Sequence, residues 1–179
     1  MIEEIAQAMK GKLLKKGVFV SEASAVGELE SRGYGVKFDQ RLLLLDYEAL
    51  FLIHIGKLLV TKSGGQISLK RMVDFALERD PIAWTRFLVY RDLRSRGYTV
   101  KEGFGFGVDF RVYNRGEYGQ KPAKFVVFAL NEGSTEEVQE LAHSIEQISR
   151  MGKEPIVAVI ERRGEVIYYR VSKMRFREA

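Results

Sequence analysis

The run Phe125 to Leu130 is apolar at all six positions. It is too short to cross a bilayer, and an uninterrupted apolar strand is the kind that a sheet buries on both faces. Ile156 to Ile160 has the same character. Between the two runs, Val138, Leu141, Ile145 and Ile148 recur at helical spacing, and Ser134-Thr-Glu-Glu137 reads as a capping box that opens this helix. Beyond the second run, the turn around Arg162, Arg163 and Gly164 leads into Val166 to Val171 as a hairpin. Tyr98 to Val100 and Val108 to Tyr113 also have β character. The second half is therefore expected to be a mixed sheet with helices against it.

The strongest local boundary is Asp80-Pro81. Aspartate accepts a first-turn N–H, and proline is pre-organised for the first helical position. The helix expected there carries Trp84, Phe87, Leu88, Tyr90 and Leu93 as its apolar stripe and stops at Gly97. Upstream, Val18 to Val20 reads as a strand after a lysine-rich segment. Ser21 to Arg32 reads as a helix stopped by Gly33. Arg41 to Val60 reads as strand, helix and strand, and Ser63 to Gly65 as a turn. Ser68 is expected to cap a helix that buries Met72, Phe75 and Ala76. The fold class is α/β of the mixed α+β kind, in two small domains, 1–80 and 81–179.

A content of 46% hydrophobic and 30% charged residues excludes a disordered chain. Acidic residues follow Met1, where a secretory signal has basic ones, so a soluble cytoplasmic protein with no membrane association is expected. The absence of cysteine removes disulfides, thiolate metal sites and cysteine nucleophiles from consideration. The 29 Lys and Arg residues exceed the 24 Asp and Glu by enough to suit a polyanionic partner. The excess recurs through the second half, including Arg111, Arg115, Arg162 and Arg163.

No metal and no cofactor is expected. The only histidines, His54 and His143, are far apart, and no carboxylate or histidine pair is read as a ligand set. His143 is expected at the surface and His54 half-buried. The glycine-spaced stretch Gly103 to Gly107 lacks the lysine and hydroxyl of a P-loop and opens a strand, so it reads as a turn with close backbone approach. Asp109 could serve a metal-dependent nuclease, but no Glu-x-Lys or Gln-x-Lys follows it on the next strand.

The most specific stretch is Phe87 to Tyr113. It contains Tyr90-Arg-Asp-Leu-Arg-Ser-Arg-Gly-Tyr98, then the glycine-spaced segment, then Asp109-Phe110 and Tyr113. It resembles the archaeal tRNA-intron endonucleases, and a weaker likeness runs through Phe125 to Ser134 and Lys153 to Tyr169. The resemblance implies a nuclease-like C-terminal domain. It also implies metal-independent cleavage of precursor tRNA at bulge-helix-bulge motifs, leaving a 2′,3′-cyclic phosphate and a 5′-hydroxyl. The family's tyrosine takes the proton of the attacking 2′-hydroxyl, its histidine protonates the leaving oxygen, and its lysine stabilises the transition state.

On this resemblance Tyr113 matches the tyrosine and Lys153 the lysine, while Pro122 stands at the histidine's place. Proline has no proton to give. The flanking Lys121 and Lys124 are poorly matched as acids, with an ordinary lysine near about 10.4. Glu146 falls where the family has an arginine that helps hold a flipped intron base. These departures imply a structural subunit of a tRNA-splicing endonuclease, active in a heterotetramer with a catalytic paralogue. Two other readings stay open: an active or weakly active endonuclease in which Lys121 or Lys124 replaces the acid, and a non-enzymatic RNA-binding module. Arg111, Arg115, Lys121, Lys124, Arg162 and Arg163 are the candidate RNA contacts. Subunits of the family pair through C-terminal strands, here Val166 to Val171 and the tail Met174 to Arg177. An acidic loop that docks into the opposing subunit corresponds to Glu161 to Glu165, whose arginines suit RNA instead.

Overall fold

The computed structural model describes residues 8–174 and 176. Arg175 and Arg177, from the tail expected to join subunits, lie outside the described residues. The chain divides into two compact units, Met1–Arg91 and Asp92–Ala179. Among the described residues no helix is long and apolar enough to cross a membrane.

The first unit begins with β1 (Met9–Leu14), β2 (Gly17–Val20), α1 (Ala23–Ser31), β3 (Val36–Phe38) and β4 (Arg41–Leu44). It continues with α2 (Asp46–His54), β5 (Leu58–Lys62), β6 (Gly65–Gln66), α3 (Leu69–Arg79) and α4 (Ala83–Ser95), within which the division between units falls. Its strands form one sheet in the order β3-β4-β2-β1-β5-β6, with β1 and β5 parallel and the other pairs antiparallel. Leu13, Val18, Val20, Leu42, Leu44, Leu58 and Val60 point to the helical side and are buried. The helices bury Ala25, Val26 and Leu29 of α1, Leu50 and Leu52 of α2, and Met72 and Ala76 of α3. Ser68 caps α3 as expected, its Oγ accepting the N–H of Arg71 at 3.2 Å. The β5–β6 turn places Ser63 and Gly64 at φ 49° and 86°, the left-handed pair that a two-residue hairpin needs.

Several local expectations fail for identifiable reasons. The lysine-rich segment is strand β1, whose alternation of Lys10, Lys12 and Leu14 outward with Gly11 and Leu13 inward is hidden by the inward glycine. Asp80 does accept an early N–H, from Ile82 at 3.0 Å, but Pro81 and Ile82 form a turn and α4 starts at Ala83. Trp84 is exposed, while Ala83, Thr85 and Val89 share the buried stripe with Phe87, Leu88, Tyr90 and Leu93. His54 is exposed, with its ring edge-on to Phe87 at 6.2 Å; His143 is exposed as expected.

The second unit contains β7 (Thr99–Gly105), β8 (Val108–Tyr113), β9 (Phe125–Asn131), α5 (Val138–Arg150), β10 (Glu154–Ile160) and β11 (Val166–Arg170). The sheet order is β11-β10-β9-β8-β7, with β9 and β10 parallel. This is the mixed sheet anticipated from the sequence. One face packs Val108, Val126, Phe128 and Val157 against Ile145 and Ile148 of α5. Val138 is 80% exposed rather than part of that stripe. The expected capping box is also absent: the Ser134 hydroxyl donates to the Asn131 carbonyl at 2.8 Å, and Glu137 precedes α5 without a side-chain cap. Gly103 fits the close-approach reading, since a Cβ there would stand 1.9 Å from the Val108 carbonyl oxygen.

On the other face of this sheet, the Tyr168 hydroxyl donates to Asp92 Oδ2 at 2.7 Å, and Arg96 Nε donates to the same oxygen at 2.7 Å. Burial first, then this hydrogen bond, raises the phenol above its ordinary value. A raised value means that stability is complete below pH about 10 and falls as pH rises past it. Replacing Tyr168 with Phe is expected to cost about 1–2 kcal/mol at neutral pH, the scale of one hydrogen bond to a charged group in a half-buried place. The same replacement should flatten the alkaline loss. Melting curves at pH 7 and 11 check both; a variant that melts like the native chain at pH 7 refutes the estimate.

Candidate functional site

Strand register decides which candidate residues meet. Val112 of β8 pairs with Phe125 of β9, and Phe125 pairs with Glu154 of β10. The end of β8 and the starts of β9 and β10 therefore lie side by side. Tyr113, Lys124 and Lys153, each one residue outside that row, fall at the same end of three neighbouring strands.

Tyr113 is the last residue of β8 and is only 9% exposed. Its ring stands edge-on to Tyr118 with centroids 5.2 Å apart, and the Lys101 ammonium lies 5.7 Å from the Tyr118 ring. Lys101 pairs with Arg111 across the β7–β8 hairpin, and Thr99 pairs with Tyr113. The two-residue period of a strand puts Lys101, Arg111 and Tyr113 on one face. Lys153 follows α5 and is half-buried, and its Nζ donates to the Ala123 carbonyl at 2.9 Å. This contact binds the β8–β9 connection to the start of β10. Pro122 is the residue just before that carbonyl and is exposed.

The β8–β9 connection is organised by Glu117. Its carboxylate accepts from Asn114 Nδ2 at 2.8 Å and from Lys121 Nζ at 2.8 Å, while its carbonyl accepts the Lys121 N–H at 2.9 Å. The hydrogen bond from Lys121, then that from Asn114, holds the Glu117 carboxyl below the usual range. Reciprocally, Glu117 raises Lys121 above the ordinary lysine value. Lys124 lies 5.0 Å from the Phe125 ring and 3.6 Å from the Glu154 carboxylate.

The other candidates are placed as follows. Arg111 Nε donates to the Glu102 carbonyl at 2.8 Å. Arg115 is exposed at the start of the β8–β9 connection, beside the site. Arg162 and Arg163 sit in the β10–β11 turn, at the far end of β10 from Lys153. Seven strand residues separate these ends, roughly 20 Å at strand rise. Arg162 is held by Glu132, whose carboxylate accepts the Arg162 backbone N–H at 3.1 Å. Asp109 is buried, and its carboxylate accepts the Ala129 N–H at 2.7 Å, so its place is within the sheet. Glu146 pairs with Arg150 at 2.9 Å and Lys173 at 3.2 Å. Tyr118 and Glu117 were missed by sequence reasoning because they lie in an irregular connection, and Lys101 because it reaches the Tyr118 ring only through the pairing of β7 with β8. Among the described residues no group of three or more His, Asp or Glu side chains is arranged to hold a metal ion.

This arrangement offers a phenol, an ammonium and a basic rim at one end of a mixed sheet. The family of the tRNA intron endonuclease N-terminal domain matches residues 9–73. That of the tRNA intron endonuclease catalytic C-terminal domain matches residues 83–168. The tRNA-splicing endonuclease of Thermococcus gammatolerans is 32% identical over 160 residues, covering 89% of this chain and 94% of that protein. The tRNA-splicing endonuclease of Methanococcus vannielii is 27% identical over 176 residues, covering 98% and 99%. The EndA-like protein of Methanopyrus kandleri is 33% identical over 167 residues, covering 93% and 98%. The chain belongs to the tRNA intron endonuclease family.

Proposed function

We propose that this chain is the structural subunit of a tRNA-splicing endonuclease that removes introns from precursor tRNA at bulge-helix-bulge motifs. It works in a heterotetramer with a catalytic paralogue. The observation that carries this reading is Pro122. It precedes the carbonyl that receives Lys153, near the end of the sheet where Tyr113 also lies, and it supports this reading because its side chain has no proton to donate. On this reading Tyr113 would be the base for a 2′-hydroxyl and Lys153 the cation for a phosphate. Nothing at Pro122 serves the leaving oxygen. The reading with Lys121 as substitute acid is weakened because Glu117 binds its ammonium and raises it, and a higher value makes a poorer acid at neutral pH.

On this proposal Arg115, Lys121, Lys124 and Arg111 contribute positive potential near the phosphates, and Arg162 and Arg163 meet RNA at a separate place. The purified chain, incubated in EDTA with a bulge-helix-bulge RNA, is expected to cleave nothing alone and to support cleavage when the paralogue is added. Replacing Tyr113 with Phe should leave the assembled complex within about twofold of full activity. A drop of about 10² or more, the scale of a lost acid–base group, would show that this subunit's own site turns over.

A further inference from the structure

The outer face of the first unit's sheet is a second basic surface. Pairing fixes which residues share it: Lys10 is opposite Leu59, Lys12 opposite both Thr61 and Phe19, Phe19 opposite Leu43, and Phe38 opposite Arg41. All point away from the helical side, where Leu13, Val18, Val20, Leu44 and Val60 are buried. Leu14, Val36, Phe38 and Leu59 on this face are exposed at 38%, 51%, 48% and 40%, while Phe19 in its middle is buried.

Its charge is one-sided. The strand and turn segments 9–20, 36–44 and 58–66 carry seven cations and one carboxylate, Asp39 in the β3–β4 turn. Two of the cations turn to the helical side, Lys37 to Glu30 at 3.4 Å and Lys62 onto the Phe75 ring at 3.6 Å. Lys10, Lys12, Lys15, Lys16 and Arg41 remain, and among the described residues none has a carboxylate partner. Two of these cations engage aromatic rings instead: the Arg41 guanidinium lies 4.9 Å from the Phe19 ring, and the Lys16 ammonium 5.9 Å from the Phe38 ring. Phe38 stands edge-on to Phe19 at 6.2 Å and is 48% exposed.

We infer that this face binds single-stranded RNA. Unpaired cations spread over neighbouring strands at about 4.8 Å spacing neutralise backbone phosphates, and an exposed ring flanked by cations gives a base a surface on which to stack. An acidic protein would use the cations but not the ring. A second copy of this chain would bring like charges together. The choice of RNA over DNA rests on the proposed function, whereas the polyanion reading rests on the face itself.

The test uses the full chain and a dye-labelled oligouridylate, with affinity read by fluorescence anisotropy from low to moderate salt. Lys10→Gln, Lys12→Gln and Arg41→Gln together are expected to weaken binding at least tenfold at about 0.1 M salt. They should also make the slope of log K against log salt shallower by about 2, near 0.7 for each lost single-strand contact. The opposite change, Leu59→Lys beside Lys10, should tighten binding and steepen the slope; it also guards against a triple variant that fails to fold. Unchanged affinity and slope in both variants overturn the inference. So does binding of duplex RNA with no binding of the oligouridylate, or self-association in sedimentation that these substitutions abolish. Cleavage with the paralogue is measured separately. A chain that supports cleavage but shows no change in oligouridylate binding refutes only this inference, and one that binds through this face but supports no cleavage refutes only the proposed function.

Discussion

A complex in which this chain carries Pro122→His, and the catalytic paralogue has lost its own histidine, is expected to cleave bulge-helix-bulge RNA at least about 10² faster than the same complex with Pro122. A positioned general acid contributes on the order of 10²–10⁴ in rate, and disabling the paralogue leaves this chain's site as the source of any gain. The substitution should be tolerated. Pro122 is exposed, and it has no backbone N–H whose hydrogen bond could be lost. Histidine adopts the φ that proline enforces, so the cost is limited to the greater freedom of the unfolded chain, about 0.4–1 kcal/mol.

The gained activity should carry its own signature. An imidazole titrates near about 6.5, so the single-turnover rate should fall as pH rises beyond the histidine's pKa and the acid form is lost. Adding Tyr113→Phe to the same chain should remove the gain, because the phenol is then the base. A Pro122→His chain no faster than its parent at any pH would mean that Tyr113 and Lys153 are not two parts of a site that lacks only its third. Lys121→Gln in the native complex supplies the contrast. It breaks the 2.8 Å contact with Glu117 but removes no catalytic acid, so cleavage supported by the paralogue should hold.

Tyr113 and Lys153 were singled out through the family resemblance, and the strand register accounts for their lying at one end of the sheet. Once Val108 to Tyr113, Phe125 to Leu130 and Ile156 to Ile160 were read as strands, parallel pairing of the last two around α5 aligned the residues flanking them. The rim was not legible. Tyr118 and Glu117 reach Tyr113 and Lys121 through a connection of consecutive turns, and no periodicity reports where such a segment sends its side chains. Arg162 and Arg163 show the converse. Charge put them in one set with Arg115, but the sheet carries them to its opposite end.

The fold failed to show where a local signal had two outlets. Ser134 could bond forward to a helix N–H or back to a carbonyl, and it bonds back to Asn131, as serine does when a turn competes with a cap. Trp84 fits the helical spacing of the α4 stripe, yet Ala83 and Thr85 take the buried places and leave its ring exposed. In β1 the inward Gly11 breaks the apolar alternation. A Cβ there would meet Val18 at 2.6 Å, so the glycine is required by close packing of the strand. The lysine-rich stretch is a central strand of the sheet, and at position 11 its inner face takes nothing larger than glycine.

The largest expected loss of stability belongs to Glu48, which gives no sign in the sequence. It is 2% exposed in the first turn of α2, and its two oxygens accept the N–H groups of Leu45 and Gly35, each at 2.9 Å. One bond caps the helix, and the other ties down the connection from α1 to β3. Gly35 has φ 67°, and a Cβ there would lie 2.6 Å from Leu42, so this connection has no alternative course that a bulkier residue could support. Replacing Glu48 with Ala leaves a buried and a half-buried donor without their carboxylate. Each hydrogen bond to a charged group is worth about 1.5–3 kcal/mol, so the loss should be ~3–5 kcal/mol. For a unit of this size that lowers the melting temperature by at least about 12 °C. Glu48→Gln keeps one acceptor but turns an amide N–H toward the other donor, and should fall between. Because Gly35 leads directly into the strand that carries Phe38, Glu48→Ala should also weaken oligouridylate binding at temperatures below the melt, where α2 and α3 are still folded by circular dichroism. An Ala variant that melts within about 2 °C of the native chain would show that water replaces the carboxylate at both N–H groups, and that the outer face of the sheet does not depend on this buried anchor.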